Sequence, residues 1–195
     1  MQTFILASQS PRRKTLLEWA ELPFEVIVSA SDENYPVSMP LELVPEYIAK
    51  NKAIAVQHKI SEAGLTTSHQ CIIAADTIVV LENIILGKPV SRLDAIQTLQ
   101  SLSGKAHKVI TGVALLNNGE MHCFSETTEV VFHPLTQEQI EFYVDKYKPF
   151  DKAGAYGIQE WIGVVGIKSI IGDFYNVMGL PVSKLLQTIK QLGIA

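Results

Sequence analysis

Phe4-Ile-Leu-Ala-Ser-Gln-Ser-Pro-Arg-Arg-Lys-Thr-Leu-Leu17 is the stretch that sets the fold. Its apolar start, Phe4 to Ala7, reads as a buried strand that stops at small hydroxyl residues. Ser10 then stands where a helix N-cap belongs, and Pro11 stands at the first helical position, where its missing N–H is no loss. A helix over about 11–21 follows. Arg12, Arg13 and Lys14 fill its first turn, although cations oppose the positive end of the helix dipole. An anion bound there would reverse that penalty, and the free backbone N–H groups of the turn would help to hold it. Strand, hydroxyl-rich turn and basic helix start together point to a phosphate site.

Working outward, Phe24–Ser29 reads as a second strand, followed by a polar loop carrying Asp32 and Glu33. Pro45 to about Lys59 is helical, with Ile48, Ala49, Ala53 and Val56 on one face and Lys50, Asn51 and Lys52 elsewhere. Gly64 and the Thr66-Thr-Ser-His69 loop end it. Cys71–Leu81 is nearly all apolar and β-branched, as a central strand buried on both faces would be. Gly87-Lys88-Pro89 makes a turn, and Ser91 caps a helix running to about Leu102. Lys108–Leu116 and Met121–Phe132 are strands joined by Asn118-Gly119, a strong hairpin signal. The capping box Thr136-Gln-Glu-Gln139 opens a helix to about Tyr147. Gly154 to Gly172, glycine-rich and apolar, reads as closely approaching strands, and a last helix runs from near Pro181 to before Gly193. Helices and strands mix without a strict βαβ repeat, which predicts a mixed sheet covered by helices. With no repeat or linker, residues 1–195 read as one domain.

The whole chain narrows the classes. It has 195 residues, 47% hydrophobic and 18% charged, so it can bury a globular core. A net charge of −4 implies no broad basic surface, so no nucleic-acid partner is expected. Cys71 and Cys123 lie in apolar surroundings and read as free buried thiols, which suits a reducing compartment. No apolar run reaches the ~20 residues of a membrane span, and no signal-peptide pattern opens the chain. The expectation is a soluble, cytoplasmic protein without a membrane partner.

Asp76 interrupts Ile-Ile-Ala-Ala-Asp-Thr-Ile-Val-Val, where an ionised carboxylate needs a cation or hydrogen-bond partners. It is either a strand-end acid held by a neighbouring loop or a metal ligand or general base. Asp32 and Glu33 are solvated loop acids, or oxygen ligands of the kind Mg²⁺ prefers. Lys52 alone reads as a solvated charge. Lys88, pinned between glycine and proline, and Lys152, in a glycine-bearing segment with Gln159, are better placed to meet a ligand. That segment could equally be a tight strand crossing in the core. Gly87-Lys88 and Gly104-Lys105 both lack the Walker A pattern. There is no Gly-x-Ser-x-Gly elbow and no zinc spacing. His107 reads as structural.

Leu6-Ala-Ser-x-Ser-Pro-Arg-Arg13, Ala74-Ala-Asp-Thr77, Gly87-Lys-Pro89, Leu102-Ser-Gly-Lys-x-His-x-Val-x-Thr-Gly-Val113, Asp151-Lys-Ala-Gly-Ala-Tyr-Gly-Ile-Gln159 and Asn176-Val-x-Gly-Leu-Pro181 stand in order along the chain. With these blocks the chain closely resembles the Maf family, and the Asp151–Gln159 block resembles its dTTP- and UTP-hydrolysing branch. The resemblance implies a nucleoside triphosphate pyrophosphatase that releases a nucleoside monophosphate and pyrophosphate with a divalent metal, Mg²⁺ or Mn²⁺. It implies an inosine triphosphatase-like α/β fold, an elongated mixed sheet flanked by helices, with two lobes around a nucleotide cleft. It also allows a homodimer.

By motif position Asp76 falls on the family's proton acceptor, and Arg12, Thr77 and Gln159 fall on its specificity positions. Ser8, Arg13, Glu33, Lys52 and Lys88 fall on its polar cleft positions. One departure is Glu160-Trp161, which follows Gln159 where many members have glycine. The mechanism these assignments support has Asp76 and Glu33 holding the metal, and Asp76 taking the proton of the attacking water. Arg12, Arg13, Lys52 and Lys88 would bind phosphate oxygens, while Gln159 would read the O4 and N3–H edge of uracil or thymine. Two alternatives stay open: a pyrophosphatase for another modified nucleotide, and a nucleotide-binding regulator of cell division.

Overall fold

The computed structural model describes residues 3–64 and 71–194. The Thr66–His69 loop expected from the sequence lies outside the described residues. In chain order the elements are β1 (Phe4–Leu6), α1 (Pro11–Trp19), β2 (Phe24–Val26), α2 (Val44–Glu62), β3 (Ile72–Leu81), β4 (Ile84–Leu86), α3 (Arg92–Leu102), β5 (Ala106–Asn117), β6 (Glu120–Phe132), α4 (Gln137–Tyr147), α5 (Trp161–Gly166), β7 (Ile167–Ile171), α6 (Phe174–Met178) and α7 (Val182–Gln191). The described strands form one mixed sheet in the order β2-β1-β3-β5-β6-β7, with β4 paired to β3. The mixed, helix-flanked sheet expected from the sequence is therefore present. The chain divides into two compact units, one of Met1–Asp76, Thr111–Glu126 and Gly179–Ala195, the other of Thr77–Ile110 and Thr127–Met178. β3, β5 and β6 each contribute to both.

In the first unit, β1 pairs in parallel with β2 and with β3, Ile5 opposite Ile72 and Leu6 opposite Ile73. Parallel neighbours need helical crossovers, and α2 supplies one of them. Its buried Ala49, Ala53, Val56 and Ile60 pack with Ile5, Ala7, Ile72, Ala74, Ala114 and Leu116. The alanines keep the helix close to the strands. At its N-terminal end the approach is closer still, because a Cβ on Gly112 would overlap the backbone of Pro45 and Glu46. Only glycine fits β5 there.

The second unit carries the antiparallel pairings β3–β4 and β6–β7. The Ser91 hydroxyl caps α3 by accepting from the Asp94 N–H, and Thr136 and Gln139 form the complete capping box of α4. Back in the first unit, Asn118 and Gly119, joining β5 to β6, both adopt positive φ, as a type I′ hairpin turn requires.

Three expectations need correction. Ser10 occupies the N-cap of α1 with extended backbone, but its side chain makes no capping hydrogen bond. Cys71 is buried, whereas Cys123 is exposed on β6, in the part of that strand before the buried positions begin at Thr128. The segment from Gly154 to Gly172 is mostly not strand. A 3-10 turn at Ala153–Ala155 holds Gly154 at φ 68°, α5 follows, and only β7 is extended. Short apolar runs carry no period that separates helix from strand. Here the left-handed glycine breaks the chain before a strand can start.

Candidate active site

The turn expected to bind phosphate lies between β1 and α1, and Ser8 organises it. The Ser10 N–H donates to Ser8 Oγ at 3.2 Å, and Arg13 Nη1 donates to the same oxygen at 3.2 Å. Arg13 Nε donates to the Gly179 carbonyl at 2.8 Å, which ties α1 to the turn ahead of α7. Arg13 is therefore a buried, fixed guanidinium rather than a surface charge. Burial lowers its pKa, the charge of Asp76 opposes that shift, Arg12 adds to it and Glu33 opposes it. All four groups thus lie within electrostatic reach of one another. Arg12 is half-buried beside it.

The close seating of α2 decides the rest. It brings Lys52 against β3, where Nζ donates to Asp76 Oδ1 at 2.7 Å and pairs with Glu33 Oε1 at 2.8 Å. Asp76 is 16% exposed, Lys52 18% and Glu33 58%, so the cluster opens to water on the Glu33 side. Ser8, Arg12, Arg13, Glu33, Lys52 and Asp76 are therefore assembled in one unit from segments far apart in sequence. Asp32, the other loop acid, turns its carboxylate to the Asn34 N–H, accepting from it at 2.9 Å.

Two carboxylates converging on one cation are a donor set that a hard divalent ion accepts. Among the described residues, no three or more His, Cys, Asp or Glu side chains gather into a metal cage. The pair thus suits an ion that completes its shell with phosphate oxygens and water.

Thr77, half-buried next to Asp76 on β3, belongs to the second unit, as do Lys88 and Gln159. Lys88 is exposed just after β4, and its turn is tied down by the Gly154 N–H donating to the Gly87 carbonyl at 3.1 Å. Gln159, also exposed, ends the loop that begins at Asp151. That loop rests on a second lysine–carboxylate cluster. Lys152, 9% exposed, pairs with Asp151 Oδ1 at 2.7 Å and with Glu160 Oε1 at 3.2 Å. Glu160 also accepts a short hydrogen bond from the Tyr143 hydroxyl, which in turn accepts from the Gly157 N–H at 2.9 Å. Burial, and then the bond to Glu160, push the Tyr143 hydroxyl above its usual pKa, so it stays a donor.

Sequence reasoning missed Tyr143. The available signal was a tyrosine on the apolar face of α4, whose hydroxyl needs a partner when buried. Trp161 packs its ring edge against Phe142, centroids 4.8 Å apart. His107 is structural, as expected: it stacks on Phe132 and its Nε2 lies 2.7 Å from the Tyr156 hydroxyl. Its Nδ1 is buried without a hydrogen-bond partner, and burial pushes the ring pKa down to about 4. The Cys71 thiol is pushed up to about 12 by burial and is inert as a nucleophile.

The profile of the family described as Maf-like protein matches residues 3–192. A protein of Bacteroides fragilis named dTTP/UTP pyrophosphatase is 49% identical over 189 residues, 96% of this chain and 95% of its own length. Proteins of the same name from Cytophaga hutchinsonii, 48% identical over 96% of this chain and 83% of theirs, and Porphyromonas gingivalis, 44% identical over 97% and 94%, are also similar. Among solved structures, the Ham1 protein of Staphylococcus aureus has a TM-score of 0.52 at 16% identity, covering 97% of this chain and 98% of its own. That likeness concerns the fold alone. No helix among the described residues is long and apolar enough to cross a membrane.

Proposed function

The chain belongs to the Maf-like family, and from that premise we propose that it hydrolyses dTTP and UTP to the nucleoside monophosphate and pyrophosphate. The observation that carries the reading is the convergence of Asp76 and Glu33 on Lys52, within the field of Arg13 and Arg12. A site built only to hold a polyphosphate has no need of two carboxylates. A site that must also bind a cation and activate water does.

In the proposed reaction a water oxygen attacks the α-phosphorus, the bond to the bridging oxygen breaks and pyrophosphate leaves. Asp76 Oδ atoms orient that water and take its proton. A free carboxylate is a weak base for water, with a reference pKa near 3.9. Glu33 and Asp76 would hold a divalent cation, Mg²⁺ or Mn²⁺, which when bound offsets phosphate charge and makes the water more acidic. Arg13 is already fixed by Ser8 and Gly179, so its guanidinium meets phosphate without ordering a long side chain first. Arg12, Lys52 and Lys88 add donors to phosphate oxygens. Thr77 and Gln159 select the base, Gln159 through the O4 and N3–H edge of uracil or thymine.

A cytoplasmic, membrane-free homodimer without a nucleic-acid partner belongs to the same proposal. The test is pyrophosphate release by the purified protein, with Mg²⁺ or Mn²⁺, across a panel of canonical and modified triphosphates. Preferential turnover of dTTP and UTP is expected. Nucleotide binding without pyrophosphate release would instead make the chain a regulator.

A further inference from the structure

Glu160 and Gln159 are neighbours in sequence, and both side chains lie close to Gly157. A Cβ on Gly157 would lie 2.8 Å from Glu160 Cδ, 3.0 Å from Glu160 Oε2 and 3.1 Å from Gln159 Nε2. A side chain at position 157 would press on both, so the glycine is what lets the carboxylate and the amide lie this close to the backbone there. The carboxylate cannot swing away, because Lys152 Nζ holds Oε1 and the Tyr143 hydroxyl holds Oε2. The backbone beneath is equally fixed: the Gly157 N–H donates to Tyr143, and the Glu160 N–H donates to the Gly157 carbonyl at 3.0 Å.

We infer that Glu160 orients the Gln159 side-chain amide and so makes this chain discriminate 4-keto pyrimidine triphosphates from the 4-amino pyrimidine CTP. The inference rests on the reading of Gln159 given above. A primary amide offers two N–H donors at one end and an acceptor at the other, and it can turn over to suit its surroundings. Uracil and thymine present an O4 acceptor beside the N3–H donor, so they need the NH₂ toward O4 and the carbonyl toward N3. Cytosine presents an N4 amino donor beside an N3 acceptor, the reverse pattern. A carboxylate accepts and never donates, so a fixed Glu160 favours the amide with its NH₂ on the carboxylate side. One amide hydrogen then serves Glu160, the other serves O4, and the carbonyl is left for N3–H. Turning the amide to suit cytosine places its carbonyl oxygen against the carboxylate, acceptor to acceptor. Glu160 is thus a positioning residue acting through Gln159.

The test compares kcat/KM for UTP and CTP in the wild type, Glu160→Gln, Tyr143→Phe and Gln159→Ala. Glu160→Gln keeps the shape but supplies either a donor or an acceptor, so the amide is free to turn. The UTP:CTP ratio is expected to fall about tenfold, the scale of one net hydrogen bond, with kcat/KM for CTP rising in absolute terms. A damaged fold lowers both substrates and cannot raise CTP. Tyr143→Phe releases one carboxylate oxygen and should move the ratio the same way by a smaller factor. It also covers the case in which Glu160→Gln does not fold. A ratio unchanged in both variants, while Gln159→Ala shifts it, overturns the role of Glu160 alone. A ratio unchanged in Gln159→Ala overturns the reading of Gln159 and this inference with it. No pyrophosphate from any pyrimidine triphosphate in the wild type overturns the proposed function itself.

Discussion

Each unit of the molecule holds one lysine between two carboxylates, and the two clusters do different work. Lys52 joins Glu33 and Asp76, while Lys152 joins Asp151 and Glu160. In both, one acid is exposed and the other half-buried, so composition does not separate them. What differs is the next layer. Around Lys52 the neighbouring charges are the arginines of α1, and the Glu33 side stays open to water. A more highly charged cation or a phosphate can rearrange such a cluster without uncovering a core. Around Lys152 the half-buried acid is tied to a tyrosine that is itself tied to the backbone, so the cluster is locked. An ion pair open to solvent suits chemistry; one whose inner acid is held by a lysine and a tyrosine at once suits positioning.

The contrast can be broken most directly at Asp76. Asp76→Asn should lower turnover about 1,000-fold, within the range for loss of a general base, while nucleotide binding stays measurable by calorimetry. Turnover near the wild-type level would move the chemistry away from the Lys52 cluster.

The next largest effect is on stability and belongs to the second unit. His107 has its pKa lowered by burial to about 4, below the 6.5 of an unfolded histidine. Above pH 6.5 both states are neutral and the residue contributes no pH dependence. As pH falls toward 4, only the unfolded state takes up the proton, so up to about 3 kcal/mol of stability is lost. Below pH 4 that loss levels off. Urea midpoints across this window should fall less steeply in His107→Gln, and parallel curves for the two proteins would contradict the assignment.

A paired substitution sharpens the comparison further. Lys152→Met should cost about 2 kcal/mol in urea unfolding, reduced from the value for a fully buried pair because Asp151 is exposed. Lys52→Met should change stability less, but it should tighten Mn²⁺ binding in the absence of nucleotide, since it removes the cation that occupies the space between Glu33 and Asp76. If both variants lose the same stability and neither changes metal binding, the two clusters are equivalent. The smallest effect, about tenfold in substrate ratio, is the Glu160→Gln change described above.

Much of this was legible in the sequence because the signals were local. The caps at Ser91 and Thr136, the hairpin at Asn118-Gly119 and the apolar face of α2 appear where their patterns put them. Ser10 stands at the N-cap position with extended backbone, yet its side chain makes no capping bond, and the hydroxyl that orders the turn is that of Ser8. The stretch after Gly154 misled because its apolar residues follow neither period over enough length.

The sequence by itself determined most of the elements, the strand-to-basic-helix turn at Ser8–Lys14 and the singular carboxylate at Asp76, since each depends on neighbours a few positions away. Tertiary structure alone decided which charges meet. Lys52 reads as a solvated charge until Gly112 lets α2 settle onto the sheet, and Arg13 is only one of three cations in a helical turn until Gly179 supplies its acceptor. Glu160 reads as a bulky intrusion until Tyr143 and Lys152 close around it. Those encounters depend on packing between distant segments, and a charge takes its role from the partner that packing brings within about 3 Å.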